Sequence, residues 1–100
     1  MPKEQLLQSN ILAHLRAKGY FAVKINTAGI YVKGRDTYIP NPNKGCPDIL
    51  AWRKGISVAV ECKSKYGKQS PEQIEWQNNF EKQGCKYILA KDVDDIKELY

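Results

Sequence analysis

The chain has 100 residues, 42% of them apolar and 27% charged, which is expected to build one core and a single domain over residues 1–100. No apolar run approaches the roughly 20 residues of a membrane span, and Met1-Pro2-Lys3-Glu4-Gln5 lacks the apolar stretch of a signal peptide, so a cytoplasmic, intracellular setting is expected. The net charge of +5 sits in one window: Lys33 to Lys68 holds Lys33, Arg35, Lys44, Arg53, Lys54, Lys63, Lys65 and Lys68 against Asp36, Asp48 and Glu61, or 8 − 3 = +5. That segregation suits a polyanionic partner, and the plainer alternative is a solubilising surface.

Lys3 to Lys18 reads as an amphipathic helix, with Leu7, Ile11 and Leu15 recurring on one stripe, Leu12 beside them and Gly19 as the stop. Glu4 falls in the middle of that stripe. It either reaches water, a partner or a metal, or lies exposed at a frayed end where it favours the helix dipole. Tyr20 to Asn26 alternates Phe21, Val23 and Ile25 against Tyr20, Ala22 and Lys24, the pattern of a strand. Thr27 to Cys46 carries Gly29, Gly34, Pro40, Pro42 and Gly45 and is expected to be a long loop or irregular hairpin. Its Tyr31, Lys33, Arg35, Tyr38 and Lys44 are expected to be exposed. Interleaved aromatic and basic residues can stack on bases and contact phosphates, or the tyrosines can pack on the domain or on a partner subunit.

Asp48 to Arg53 and Ile56 to Lys63 read as two strands joined by Lys54-Gly55. If that pair is a two-residue turn, residues whose numbers sum to 109 face each other, which sets Asp48 opposite Glu61. Cross-strand partners on one face have Cβ atoms about 4.5–5.5 Å apart, so the two carboxylates repel unless a cation lies between them. Lys63 follows on the same face. After the basic connector Ser64 to Gln69, Ser70-Pro71-Glu72-Gln73 carries the signature of a helix start: N-cap serine, N1 proline and N3 glutamine. That helix runs to about Gln83 and stops at Gly84. Lys86 to Ala90 is a strand, and Asp92 caps a short terminal helix with Val93, Ile96 and Leu99 apolar. The predicted order is α-β-β-β-α-β-α. Cys46, Cys62 and Cys85 show no metal-binding spacing, and His14 is the one histidine. Cys62 and Cys85 are expected to be small reduced core residues rather than zinc ligands.

The whole set resembles the PD-(D/E)XK nuclease superfamily, and within it the minimal, stand-alone, phage-type members of the VRR-NUC family. It consists of the Glu4-x-x-x-Gln8 helix, Gly45-Cys46-Pro47-Asp48-Ile49, Val60-Glu61-Cys62-Lys63, Ser70-Pro71-x-Gln73-x-x-Trp76 and the strand entry Gly84-Cys85-Lys86-Tyr87. The name-giving Val-Arg-Arg triplet is not evident here. The resemblance implies an α/β, restriction-endonuclease-like core with a central mixed sheet flanked by helices, Mg²⁺ or Mn²⁺ as cofactor, and DNA as substrate. It also implies Asp48 and Glu61 as metal ligands, Lys63 as the catalytic lysine, Glu4 as the first-helix acid, and Gln73 as the glutamine at the following helix start. For Gln73 the capping box is a sufficient explanation by itself. Small stand-alone relatives are similar to Holliday-junction resolvases in acting as homodimers, in a bacterial or phage-infected cell.

The residues support the same chemistry. Mg²⁺ wants octahedral oxygen coordination and keeps several waters. Asp48, Glu61 and the main-chain carbonyl of Cys62 would supply three oxygens, leaving places for phosphate and water. Lys63 could orient or deprotonate that water, or hold developing charge. Lys33, Arg35, Lys44, Lys65 and Lys68 are the candidate DNA contacts. The expected function is a structure-selective endonuclease, with a homodimeric junction resolvase set against a monomeric flap or nicking enzyme and against a non-catalytic nucleic-acid-binding module. A salt-bridged cluster of Asp48, Glu61 and Lys63 is the purely structural alternative. The segment Ile30-Tyr31-Val32 is the candidate dimer interface.

Overall fold

A computed structural model of the chain describes residues 3–25, 30–32, 34, 37–39 and 44–100. Helix α1 spans Lys3–Ala17 and is followed by strands β1 (Phe21–Lys24), β2 (Ile30–Val32), β3 (Thr37–Ile39), β4 (Ile49–Arg53) and β5 (Ile56–Cys62). Helix α2 (Pro71–Lys82), strand β6 (Lys86–Ala90) and a terminal 3₁₀ helix (Val93–Leu99) complete the order. The main sheet runs β1-β4-β5-β6, with β5 and β6 parallel and the other neighbours antiparallel. It is the mixed sheet the motifs implied. The backbones of β2 and β3 pair as a separate antiparallel ribbon, so the expected irregular hairpin is a real one.

One face of the sheet carries Ala22, Ile49, Ala51, Val58, Val60, Cys62, Ile88 and Ala90, and packs on Ile11 and Leu15 of α1 and on Ile96 and Leu99 of the terminal helix. Each large apolar side chain buried there contributes roughly 1.5–3 kcal/mol. The β1 pattern had left open which set faces inward. Tyr20 and Ala22 do, while Phe21 is exposed and stacks on Trp52, its cross-strand partner. The reason is close approach: Ala22 opposite Ala51 makes a low floor that lets α1 settle onto the sheet. On the opposite face, α2 packs on β6 through Trp76, whose ring lies 4.8 Å from Phe80 and 6.1 Å from Tyr87, centroid to centroid.

Two expectations need correction. Cys85 is only half-buried, outside the core that Cys62 shares, because it precedes β6 at the sheet margin. Arg53, counted in the basic window, is structural. It donates to the carbonyls of Lys18 (2.9 Å) and Leu99 (3.1 Å), and its guanidinium stacks 4.3 Å from the Tyr20 ring centroid. Tyr20 in turn donates its hydroxyl to Leu99 O at 2.7 Å. Arg53 and the turn residue Lys54 therefore lie at the end of β5 remote from Glu61, roughly 17 Å away at strand rise. The charge of the window is thus divided between two ends of the sheet.

Candidate active site

The turn decides the site. Lys54 has φ 51° and Gly55 φ 82°, two successive positive values that define the tight hairpin turn whose twist matches its strands. The observed register follows: Ile49 faces Val60, Leu50 faces Ala59, Ala51 faces Val58, and the numbers sum to 109 throughout. Continued by one pair, it brings Asp48 at the entrance of β4 beside Glu61 near the exit of β5. Both are buried, Asp48 to 6% exposure and Glu61 to 3%. The Cys62 N–H donates to Asp48 Oδ2 at 2.8 Å, replacing a ladder bond by a side-chain bond. In the same register Pro47 lies opposite Cys62 and has no N–H to give. The Cys62 carbonyl, on the same side of β5 as its N–H, therefore has no ladder donor on that side.

The electrostatics are those of a crowded acidic pair. Glu61 is pushed up from 4.5 to about 8, first by burial, then by the charge of Asp48 and a carboxyl–carboxyl hydrogen bond to it; Lys63 opposes the rise and Glu4 adds slightly to it. Glu61 therefore holds its proton more tightly than an ordinary glutamate does. Glu61 Oε2 nevertheless stays sealed from solvent with no hydrogen-bond partner. Burial, followed by the charges of Glu61 and Asp48, also raises the nearby Cys46 thiol. The single ion pair among the described residues is Lys86–Glu98, 3.7 Å apart. The salt-bridged alternative for Asp48, Glu61 and Lys63 is therefore not what the chain forms.

The other predicted residues fall as follows. Glu4, exposed at the start of α1, accepts the Ser64 N–H at 3.1 Å and so stands at the exit of β5, one residue beyond Lys63. Gln73 closes the capping box: its side-chain oxygen accepts the Ser70 N–H (2.9 Å) and its N–H donates to Ser70 Oγ (3.2 Å). Its side-chain oxygen is thereby engaged in the cap, as the capping box alone requires. Lys44, Lys65 and Lys68 are exposed, as DNA contacts would be. Lys33, Arg35 and the side chains of Ile30-Tyr31-Val32 and Tyr38 lie outside the described residues. Among those that are described, no three His, Cys, Asp or Glu side chains form a metal-holding group, so two carboxylates and a carbonyl are the available set.

Gly45 links the two halves of the site. It has φ +82°, and a Cβ there would fall on the main-chain carbonyl of Glu72 and 2.9 Å from Gln73 N. Only glycine lets the turn before Asp48 touch the first turn of α2. Gly45→Ala is expected to cost about 2–4 kcal/mol, because a strained backbone and an immovable contact combine. Thermal unfolding would show a drop of about 10 °C or more. An unchanged melting temperature would mean that this contact does not hold the helix start in place.

Reading the sequence missed Lys3, Tyr66 and Lys91, which line a recess with Lys63 and Glu4. It also missed Gln69, whose side-chain amide donates to Gln77 Oε1 (2.9 Å) and Tyr87 Oη (3.2 Å), fastening the connector to α2 and β6. The signal for Lys91 was the parallel pairing of β5 and β6, which sets Cys62 beside Ala90 and hence Lys63 beside Lys91.

No protein-family model matches the sequence, and no curated protein matches it. Among solved structures the chain is similar to a VRR_NUC domain, 25% identical, over 100% of this chain and 99% of that one, with a TM-score of 0.72. It is also similar in fold to Hjc, a Holliday junction resolvase from the archaeal hyperthermophile Archaeoglobus fulgidus. There the identity is 22%, the match covers 86% of this chain and 65% of that one, and the TM-score is 0.60. The resemblance to VRR-NUC domains and the restriction-endonuclease-like fold expected from the motifs are borne out along the whole chain.

Proposed function

We propose that this chain, VRR_NUC-like over its full length, is a metal-dependent DNA endonuclease that hydrolyses phosphodiester bonds and acts as a homodimer on branched DNA, four-way junctions above all. One observation carries the reading: a buried carboxylate oxygen of Glu61 without a partner, set against a second carboxylate, at the edge of a basic surface. A non-catalytic binding module gains nothing from such a pair, since burying it costs stability in the metal-free protein. The oxygens of Asp48, Glu61 and the Cys62 carbonyl form a hard donor set that suits Mg²⁺ or Mn²⁺. When bound, such an ion stabilises charge on the phosphate and lowers the pKa of a water.

The chain's own residues do the rest. Asp48 is held in place by the Cys62 N–H, so its position does not depend on substrate. Glu61, whose carboxyl pKa is raised by burial and by the charge of Asp48, would hold the ion in its ionised form. Lys63, immediately past the end of β5 and unpaired among the described residues, would present an ammonium group to the charge that develops on the phosphate. Glu4 anchors α1 to the segment immediately after Lys63 and thereby steadies the lysine's backbone. Gln73, Lys44, Lys65 and Lys68 are proposed to contact DNA from the helix start and the surrounding surface.

Support for junction DNA comes from the fold shared with Hjc, and support for a dimer from geometry. One chain carries one carboxylate pair, so paired incisions across a twofold-symmetric junction need two copies. Light scattering combined with cleavage of four-way, flap and linear duplex DNA, with Mg²⁺ and with EDTA, tests this. A dimer that cuts the four-way substrate fastest and is silent in EDTA is expected. A monomer without junction preference removes the resolvase reading and leaves the nuclease; undiminished cleavage in EDTA removes the metal.

A further inference from the structure

At the carboxyl ends of the parallel strands β5 and β6 lies a recess of about 330 Å³. Lys63, Lys65 and Tyr66 line it where the chain leaves β5, Lys91 where it leaves β6, and Lys3 and Glu4 from the first turn of α1. Four ammonium groups against one carboxylate give these walls 4 − 1 = +3. The carboxylate is occupied, since Glu4 accepts the Ser64 N–H at 3.1 Å. Lys91 Nζ donates to the Lys65 carbonyl at 3.1 Å, which ties the Ser64–Gly67 turn to the end of β6 and gives the recess a fixed wall. A second recess of about 260 Å³ shares Lys3 and Lys91 and continues toward Leu6, which is half exposed.

Tyr66 sits on this wall with 84% of its surface in solvent, the most exposed large apolar residue among those described. The side chain recorded over its ring is that of Lys65, with Nζ 5.5 Å from the centroid. An aromatic side chain can bury some 150–250 Å² and gains most by covering a flat apolar surface. Bases within a duplex already cover one another. Only an unpaired base has a free face to lay on such a ring.

We propose that this recess is a subsite for an unpaired nucleotide next to the scissile bond, with Lys3, Lys65 and Lys91 taking its phosphate and Tyr66 stacking on its base. The proposal rests on the nuclease reading above and specifies its substrate. Lys63 borders both places: it lines the recess and lies two residues from Glu61, about 6.6 Å along the strand. The subsite therefore adjoins the carboxylate pair. Selectivity then arises from unpairing rather than from sequence, because every base offers a π face. Branch points, gaps and flaps share that feature, and a continuous duplex lacks it.

The test uses two DNA substrates identical but for one nucleotide beside the cleavage position, paired in one and unpaired in the other, with 2-aminopurine as that nucleotide. Wild type, Tyr66→Ala and Tyr66→Phe are compared with Mg²⁺ for cleavage, and with EDTA for 2-aminopurine fluorescence at saturating protein. Tyr66→Ala should lower kcat/KM on the unpaired substrate roughly tenfold and leave the paired one unchanged, while Tyr66→Phe retains wild-type behaviour. Fluorescence should be quenched by wild type and by Tyr66→Phe, and not by Tyr66→Ala. Lys3→Ala and Lys91→Ala should each flatten the salt dependence of binding by about one phosphate contact. Equal losses on both substrates, or no quenching by bound wild type, overturns the subsite. If no substrate is cut by any variant the nuclease reading falls, and the fluorescence comparison still decides the subsite by itself.

Discussion

Asp48→Asn or Glu61→Gln is expected to lower cleavage on the order of 10³-fold or more while the chain remains folded. On the proposed reading each change removes an oxygen ligand of the metal and, with it, one of two carboxyl groups crowded in a buried pair. The metal-free protein should therefore gain from Glu61→Gln, and the gain should depend on pH. Glu61 titrates at about 8 in the fold against 4.5 for an ordinary glutamate. The folded state thus holds a proton that the unfolded chain has released. Its stabilising contribution is complete below about pH 4.5 and is lost as pH rises through about 8. In EDTA, wild type should lose melting temperature across that window and Glu61→Gln should lose less. If Glu61 holds Mg²⁺ or Mn²⁺ as proposed, the ion competes with that proton, and metal binding should strengthen as pH rises toward 8 and release protons below it. Parallel pH–stability curves for the two proteins would remove Glu61 as the seat of the proton. Full turnover in either variant would remove the carboxylates from the chemistry.

Lys63→Ala is expected to depress turnover by on the order of 10²-fold or more with little change in DNA affinity. Affinity is spread over several phosphate contacts, of which Lys63 is one, whereas the charge beside Glu61 is local and single. Charge removal at Lys65 or Lys68 should do the reverse, weakening binding and reducing its salt slope with turnover at saturation preserved. Single-turnover cleavage at saturating DNA, set beside binding titrations at several salt concentrations, separates the two patterns. Equal affinity losses at all three lysines with unchanged saturated turnover would make Lys63 one more phosphate contact.

Much of the site was legible because its determinants are local. Alternation in Ile56 to Cys62 sorts side chains between faces, and the Lys54-Gly55 turn converts that alternation into a register. Neither needs information from beyond fifteen residues. From those two facts the Asp48–Glu61 pair follows. Serine, proline and glutamine within four residues likewise announced the start of α2 before any contact was known, and the capping box formed as expected. Motif spacing carried the fold further than composition did, since charge counting placed Arg53 and Lys54 with the site when they lie at the other end of the sheet.

What the sequence by itself determined, then, is the helices and the strands of the main sheet, the β4–β5 register and the carboxylate pair with its neighbouring lysine, while the β2–β3 ribbon was left open between a loop and a hairpin. Tertiary structure alone decided that Tyr20 and Ala22 rather than Phe21 face α1, because the choice depends on how closely a helix can approach two paired alanines. It also decided that Glu4 meets Ser64 across 60 residues, that Gly45 must be bare to admit the start of α2, and that Lys3 and Lys91 join Lys63 around one recess. These contacts are set by the packing of α1 and by the crossover from β5 through α2 to β6. A hydrogen bond or a close approach between distant segments leaves no periodic trace in the chain, so only the assembled fold reveals it.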